Sequence, residues 1–320
     1  MEERLLALLR LAIKYNATDI HFYLTFQDIS IQMRINGELR NVKEKFDDYK
    51  LIRYLQYLAN LDVGNLLQPQ TGQFEMEVDG TQLSLRFAVI NSLNYTNGVL
   101  RILNSNVKIN ANNLSHIVSQ NNYFQKLLKK DCGLIIFSGP TGSGKTTTLY
   151  SLLKSVKNKK IYTIEDPIEV YNDNFIQLEV NEAIGFDYAS GIKQILRHDP
   201  DIIMIGEIRD EKAAKMAVVA ANTGHLVLTT LHASRSSSCI SRMVDFGVNE
   251  DHLYENLLCI CNQRMMIDKN TKEKIVLYEI MNRDEIMYFQ KNKNNSKNFI
   301  NLEFQIERGI EYGIFEKDVL

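Results

Sequence analysis

A chain of 320 residues has room for about two domains of ~100–200 residues each, and 45% hydrophobic with 24% charged residues is the balance of a globular protein with a sizeable core. Lys+Arg 37 against Asp+Glu 39 leaves a net charge of −2, so the total carries no electrostatic footprint for nucleic acid. The cysteines Cys132, Cys239, Cys259 and Cys261 form no C-x-x-C pair, which argues against a zinc module or a disulfide framework and for reduced, mostly buried thiols.

The opening MEERLLALLRLAIKY places acids before its apolar run and breaks that run with charge, unlike a secretory signal. No window reaches the ~18 uninterrupted apolar residues of a spanning helix, so a cytoplasmic chain is expected, with any membrane association made through a partner. Residues 1–15 have helical spacing. DIHFYLTF, SIQMRING, GQFEMEVDG, QLSLRFAVI and GVLRIL alternate apolar and polar residues as strands do, with turns at Asn36-Gly37 and Asp79-Gly80. DDYKLIRYLQYLANLD, from Asp47, is an amphipathic helix between them. The result is an α+β first domain over residues 1–105. The polar, Asn-rich stretch that follows reads as a linker, set at 106–118. From residue 119 to 320, short and nearly all-apolar runs (LIIFS, IYTIE, IIMIG, HLVLTTL) alternate with helical segments, the pattern of an α/β core around a parallel sheet. NKNNSKN, near residue 294, reads as an exposed loop.

GPTGSGKT, from Gly139 to Thr146, fits G-x-x-x-x-G-K-[ST] between an apolar run and a helical segment. Gly139, Gly142 and Gly144 permit backbone conformations closed to other residues, so that successive N–H groups of the turn point at phosphate oxygens, and Pro140, Thr141 and Ser143 complete the turn. The helix beginning near Lys145 adds its positive dipole end. The motif places Lys145 at the β- and γ-phosphates of ATP and the Thr146 hydroxyl on Mg²⁺, with Thr147 at the α-phosphate. Hydrolysis needs in addition a metal carboxylate and a group that orients water. TIEDPIE supplies Glu165, Asp166 and Glu169, and PDIIMIGEIRD supplies Asp201, Glu207 and Asp210. An apolar run followed by an acid is how a parallel strand delivers a carboxylate to the carboxyl edge of its sheet.

GPTGSGKTTTLYSLL, TIEDPIE, LRHDPDIIMIGEIRD and TGHLVLTTLHA, in this order, resemble the Walker A, Asp box, atypical Walker B and His box of the secretion ATPases that drive type II secretion and type IV pilus assembly. CISRMVDFGV and the Gln263-Arg264 pair extend the resemblance, and DIHFY, MRINGELR, SLRFAVINS and GVLRIL carry it into the first domain. It implies a hexameric motor. Its RecA-like P-loop ATPase domain with a parallel-core sheet follows a smaller α+β (PAS-like) domain, and ATP lies in the cleft between them. Gly206 stands where an ordinary Walker B has Asp, which leaves Glu207, assigned to Mg²⁺ through water. By the same resemblance Glu169 orients the attacking water, and Arg86 and Arg101 are arginine fingers brought in by domain closure. The fixed fork of a guanidinium suits it to transition-state charge on phosphate oxygens. His232 is implied as a γ-phosphate sensor and His225 as an interface or nucleotide contact. His198 stands where the family often has Gln.

Larger members of this family carry an extra amino-terminal domain and a four-cysteine zinc module. Here the first motif begins near residue 17 and KNTKEKIVLYEIM fills the module's place. The short form resembles the competence pseudopilus ATPases of Gram-positive bacteria, which implies assembly of a pilus-like fibre for DNA uptake. A pilus-retraction or type II secretion ATPase is the alternative, although retraction enzymes tend to have GEMRD where this chain has GEIRD. A nucleotide-gated scaffold with little hydrolysis is a second alternative. The implied partners are further copies of the chain, as a hexamer, and an inner-membrane platform protein that holds it at the inner face of the membrane. No direct grip on DNA and no metal cluster are expected.

Overall fold

Apolar residues alternate with polar ones in the first third of the chain and run unbroken later, and the two patterns build two different sheets. The computed structural model describes residues 1–25, 29–35, 37–42, 49–64, 68–92, 95–103 and 111–316. The chain divides into two units, Met1–Val107 and Lys108–Leu320. Asn36 of the expected turn, Asp47 and Asp48 at the head of the expected helix, and residues 106–110 of the expected linker lie outside the described residues.

The first unit runs α1 (Glu2–Lys14), β1 (Ala17–Thr25), β2 (Ile29–Ile35), β3 (Glu38–Asn41), α2 (Tyr49–Leu58), β4 (Gln70–Val78), β5 (Thr81–Asn91) and β6 (Tyr95–Ile102). Its sheet is antiparallel throughout, in the order β3-β2-β1-β6-β5-β4. Alternation decides the faces. Ile20, Phe22 and Leu24 of β1, Leu85 and Phe87 of β5 and Leu100 of β6 share a core with Leu5, Leu8 and Leu9 of α1 and Leu51, Ile52 and Leu55 of α2. Their strand neighbours Asp19, Arg86 and Arg101 fall on the other face. β3 has no counterpart in the sequence reading. All four of its residues are exposed, so no apolar alternation marks it, and it exists by pairing with β2 across the turn at Gly37.

The second unit runs α3 (Val118–Leu127), β7 (Gly133–Ser138), α4 (Lys145–Lys154), β8 (Ile161–Glu165), β9 (Phe175–Glu179), α5 (Tyr188–Ile195), β10 (Ile202–Ile205), α6 (Glu211–Asn222), β11 (Leu226–Leu231), α7 (Ser236–Asp245), α8 (Glu250–Asn256), β12 (Leu257–Ile267), β13 (Lys274–Asn282), α9 (Arg283–Asn292) and α10 (Leu302–Glu311). The strands order as β13-β12-β7-β11-β10-β8-β9, parallel from β12 to β9 with β13 antiparallel at one edge. This is the expected α/β fold around a parallel core. Successive residues go to opposite faces, both buried. Leu134 and Ile136 of β7 and Ile203 and Ile205 of β10 pack with α5 to α8. Ile135, Phe137, Ile202 and Met204 pack with α3 and α4. Cys239, Cys259 and Cys261 are buried thiols and Cys132 is exposed. Among the described residues no helix is long and apolar enough to cross a membrane.

Gly72 of β4 marks the tightest backbone approach in the first unit. A Cβ there would stand 2.0 Å from the carbonyl oxygen of Ala59, just past α2. Backbone has little room to give, so Gly72→Ala is expected to destabilise this unit by about 1–3 kcal/mol. Urea unfolding followed by far-UV circular dichroism checks this. An unchanged midpoint would contradict the packing described here.

Candidate functional site

Parallel pairing of β7, β8, β10, β11 and β12 brings their carboxyl ends to one edge of the sheet. There β7 stops at Ser138 and the chain turns through Gly139–Gly144 into α4. Gly139, Gly142 and Gly144 have φ of 138°, 80° and 86°, in the region that favours glycine. A Cβ on Gly139 would also collide at 2.3 Å with the carbonyl oxygen of Gln263, so this position is fixed by contact as well as by conformation. Lys145 Nζ donates to the carbonyl oxygens of Gly139 (2.9 Å) and Pro140 (3.1 Å), which lays the ammonium over the turn. Burial pulls the Lys145 pKa below its ordinary value, and the carboxylates of Glu207 and Glu169 oppose that shift. Those two acids are therefore the ones whose field reaches the ammonium. Ser143 Oγ is buried without a hydrogen-bond partner, and Thr146 and Thr147 are half-buried on the first turn of α4. A bare backbone concavity, a lysine laid across it and an unused buried hydroxyl fit a polyphosphate.

The turn has a brace that spacing alone does not reveal. Gln263, wholly buried in β12, donates through Nε2 to the Ser143 carbonyl (2.5 Å) and accepts at Oε1 from Thr148 Oγ1 (3.0 Å). Its neighbour Asn262 donates to Ser138 Oγ (2.8 Å) and to the Ala233 carbonyl (3.0 Å). The two amides tie the end of β7, the head of α4 and the segment after β11 to one strand. In the sequence the Gln263-Arg264 pair extends the family resemblance and carries no role of its own.

The acids sort by which end of a strand they occupy. Glu207, two residues past β10, lies 3.1 Å (Oε1) from His232 Nε2 and 2.9 Å (Oε2) from Arg209 Nη2. Arg209 Nη1 reaches Asp166 Oδ2 at 3.2 Å, joining the segments after β8 and β10. His232 immediately follows β11, and Glu169 is exposed on the segment after β8. Asp201 departs from the expectation. It precedes β10, at the opposite edge, where it accepts from the Lys160 backbone N–H at 2.7 Å. His225 precedes β11 at that same far edge, bonded to Thr223 Oγ1 and the Ala220 carbonyl, so it makes no contact with the turn of its own chain. Asp210 caps α6 by accepting from Ala213 N (2.9 Å).

Glu165, the last residue of β8, is buried rather than presented to solvent. Both its oxygens lie within 2.8 Å of Tyr150 Oη on α4, and Thr163 Oγ1 donates to Oε1 at 2.6 Å. Gly206 lies against it, for a Cβ there would be 3.3 Å from Glu165 Cα and 3.2 Å from the Ile164 carbonyl oxygen. A side chain in this position would press on the end of β8. In the first unit, Arg86 of β5 and Arg101 of β6 are directly paired across strands, and Arg101 Nε donates to Asp19 Oδ1 at 2.7 Å. The structure thus brings Gly139–Thr147, Glu169, Glu207 and His232 to one edge, and Arg86 and Arg101 to each other. Among the described residues no three His, Cys, Asp or Glu side chains gather as a metal cage.

Two outcomes follow from these contacts. Gln263→Ala removes the donor to Ser143 and one partner of Thr148. It should cost about 1–3 kcal/mol in chemical denaturation and weaken binding of a fluorescent ATP analogue. Unchanged affinity would show that the brace is dispensable. Burial outweighs the hydrogen bonds from Thr163, Tyr150 and Gln177 and raises the Glu165 carboxyl above its ordinary range. A carboxyl raised on folding contributes stability below its unfolded pKa of about 4.5, and loses it as pH rises through the folded value. Glu165→Gln should therefore gain stability relative to wild type as pH rises above about 4.5, read from denaturation midpoints. A pH-independent difference would contradict this sign.

Residues 1–302 match the family model described as type II/IV secretion system protein. The chain is 37% identical over 255 residues to competence protein ComGA of Bacillus subtilis, which covers 78% of this chain and 72% of that protein. It is 36% identical over 265 residues to type II secretion system protein E of Pseudomonas aeruginosa, covering 81% of this chain but only 53% of that one, so it spans about half the length of that relative. Among solved structures, the pilus retraction motor PilT with bound ADP matches with TM-score 0.75 and 26% identity, over 98% of this chain and 94% of that one. The Legionella pneumophila ATPase DotB matches in fold with TM-score 0.78 at 20% identity, over 97% and 92%. With a braced P-loop at the carboxyl edge of a parallel sheet and a family match over nearly its whole length, the chain belongs to the type II/IV secretion system protein family, a family of P-loop ATPases.

Proposed function

We propose that this protein hydrolyses ATP as a motor for a type IV pilus-like pseudopilus, serving DNA uptake in competence. The placement of Lys145, Glu169 and Glu207 at one edge of the parallel sheet carries the reading, since a site built only to hold a nucleotide has no use for two carboxylates there. Gly139–Thr147 cradle the phosphates, with Lys145 moving from the turn carbonyls to the β- and γ-oxygens. Thr146 and, through water, Glu207 are hard oxygen donors suited to Mg²⁺, which neutralises phosphate charge when bound. Glu169 orients the attacking water, and His232, already bonded to Glu207, senses the terminal phosphate. Arg86 and Arg101 meet the charge that develops on the phosphate oxygens. The likeness to ComGA supports competence over retraction or type II secretion. A hexamer of this chain, working at the inner face of the membrane on a platform protein, completes the proposal.

Phosphate release by the purified chain tests the enzyme. Lys145→Ala and Glu207→Gln should each lower it by at least ~10²-fold. Wild type no faster than either variant would make the chain a nucleotide-gated scaffold. Mass measurement with a non-hydrolysable ATP analogue should give a sixfold assembly, and a monomer under those conditions would contradict the hexamer. No salt-sensitive binding to duplex DNA is expected near 0.15 M salt, and a steep salt slope would overturn the absence of a DNA grip.

A further inference from the structure

Four charged residues form a row across the sheet of the first unit. Arg86 of β5 pairs with Arg101 of β6, Arg101 pairs with Asp19 of β1, and Asp19 pairs with Arg34 of β2. Directly opposed residues share a face with Cβ atoms about 4.5–5.5 Å apart, and like charges so placed destabilise a sheet. The Arg86–Arg101 step is such a pair, and Asp19 stands on the far side of Arg101 as the counter-charge. The carboxylate is buried although the Arg101 side chain is 56% exposed. A plain surface ion pair has both partners in water. This one sinks the anion into the sheet and leaves the cation projecting.

The attachment point matters. Asp19 Oδ1 accepts from Arg101 Nε at 2.7 Å, while its Oδ2 accepts from Thr18 Oγ1 at 2.8 Å and lies 4.0 Å from Arg34 Nε. Burial pushes the Asp19 carboxyl up, but the bonds from Arg101 and Thr18 leave it below its ordinary range, so it is ionised at neutral pH. Among the described residues Arg101 Nη1 and Nη2 have no hydrogen-bond partner. A guanidinium held through Nε has a fixed plane and a free Nη1/Nη2 fork, the edge that meets two oxygens of one phosphate.

We propose that Asp19 is the positioning residue for Arg101. It locks the guanidinium by its inner nitrogen and leaves the outer fork free to meet a phosphate. This rests on the reading of Arg101 as an arginine finger. Asp19 itself touches no reacting atom. A lysine at position 101 would fail in this role, because one ammonium has no separate inner nitrogen to be held by.

A double-mutant cycle on ATP turnover by the full chain tests this, with wild type, Asp19→Asn, Arg101→Ala and the double variant measured at saturating Mg²⁺ and ATP. Arg101→Ala should lower kcat by at least ~10²-fold. Asp19→Asn should lower it by about 10- to 100-fold with KM within about twofold, the signature of a misplaced group rather than lost binding. The double variant should be no slower than Arg101→Ala, because Asp19 acts only through that side chain. Asp19→Asn equal to wild type, or a double variant slower by the product of the single effects, overturns the positioning role while leaving the finger intact. Unchanged turnover in Arg101→Ala overturns the finger reading itself. Melting curves accompany each variant. Should Asp19→Asn unfold, Asp19→Glu, which keeps the charge but displaces it by one methylene, replaces it in the same cycle with the same expected pattern.

Discussion

The parallel register from β12 to β9 is the constraint on which the candidate site depends. Six strands that run the same way must end at the same edge, so a turn after β7, an acid after β10, a histidine after β11 and an acidic segment after β8 become neighbours with no local reason to meet. The register rests in turn on the two-faced apolar core. β7, β8, β10 and β11 bury both faces, and a slip by one residue would exchange the helices that each side chain packs against. The polar chemistry is thus placed by apolar packing one residue away from it.

Buried polar groups then fix what packing leaves loose. Gln263 and Asn262 hold the turn and its flanks from β12, and Glu165 ties β8 to the helix that the turn launches. Glu279 of β13 does similar service on the other side. Its carboxylate accepts from the backbone N–H of Ser236 at the start of α7 (2.7 Å) and of Leu302 at the start of α10 (3.1 Å), capping two helices with one side chain. Each of these groups would be costly to bury alone, and each is satisfied by several partners. Arg209, spanning Glu207 and Asp166, brings the same kind of restraint to the exposed side of the edge.

How much of this was legible in the sequence follows from how local each feature is. The runs LIIFS, IYTIE, IIMIG and HLVLTTL announce β7, β8, β10 and β11 because a strand buried on both faces is nearly all apolar. The edge strand β9 is half-exposed, and β12 follows α8 without an intervening turn and carries Asn262 and Gln263 in its middle, so neither has such a signature. The phosphate turn is wholly local, and its glycines carry the positive φ the motif requires. Asp201 and Glu207 flank the same four apolar residues, and only the direction of β10 separates the one that reaches the site from the one that does not. The brace by Gln263 and the pairing of Arg101 with Asp19 join residues 120 and 82 positions apart, distances at which no spacing rule operates.

The central physical claim is that a bare backbone turn, held open by Gln263, receives a nucleotide's phosphates. Titration calorimetry with Mg²⁺ and a non-hydrolysable ATP analogue, comparing wild type with Gly139→Ala, addresses it most directly, because a Cβ at 139 collides with the Gln263 carbonyl that shapes the turn. The account predicts one nucleotide per wild-type chain, and at least ~10-fold weaker binding in the variant, about 1.4 kcal/mol. Equal affinity in the two proteins would contradict it.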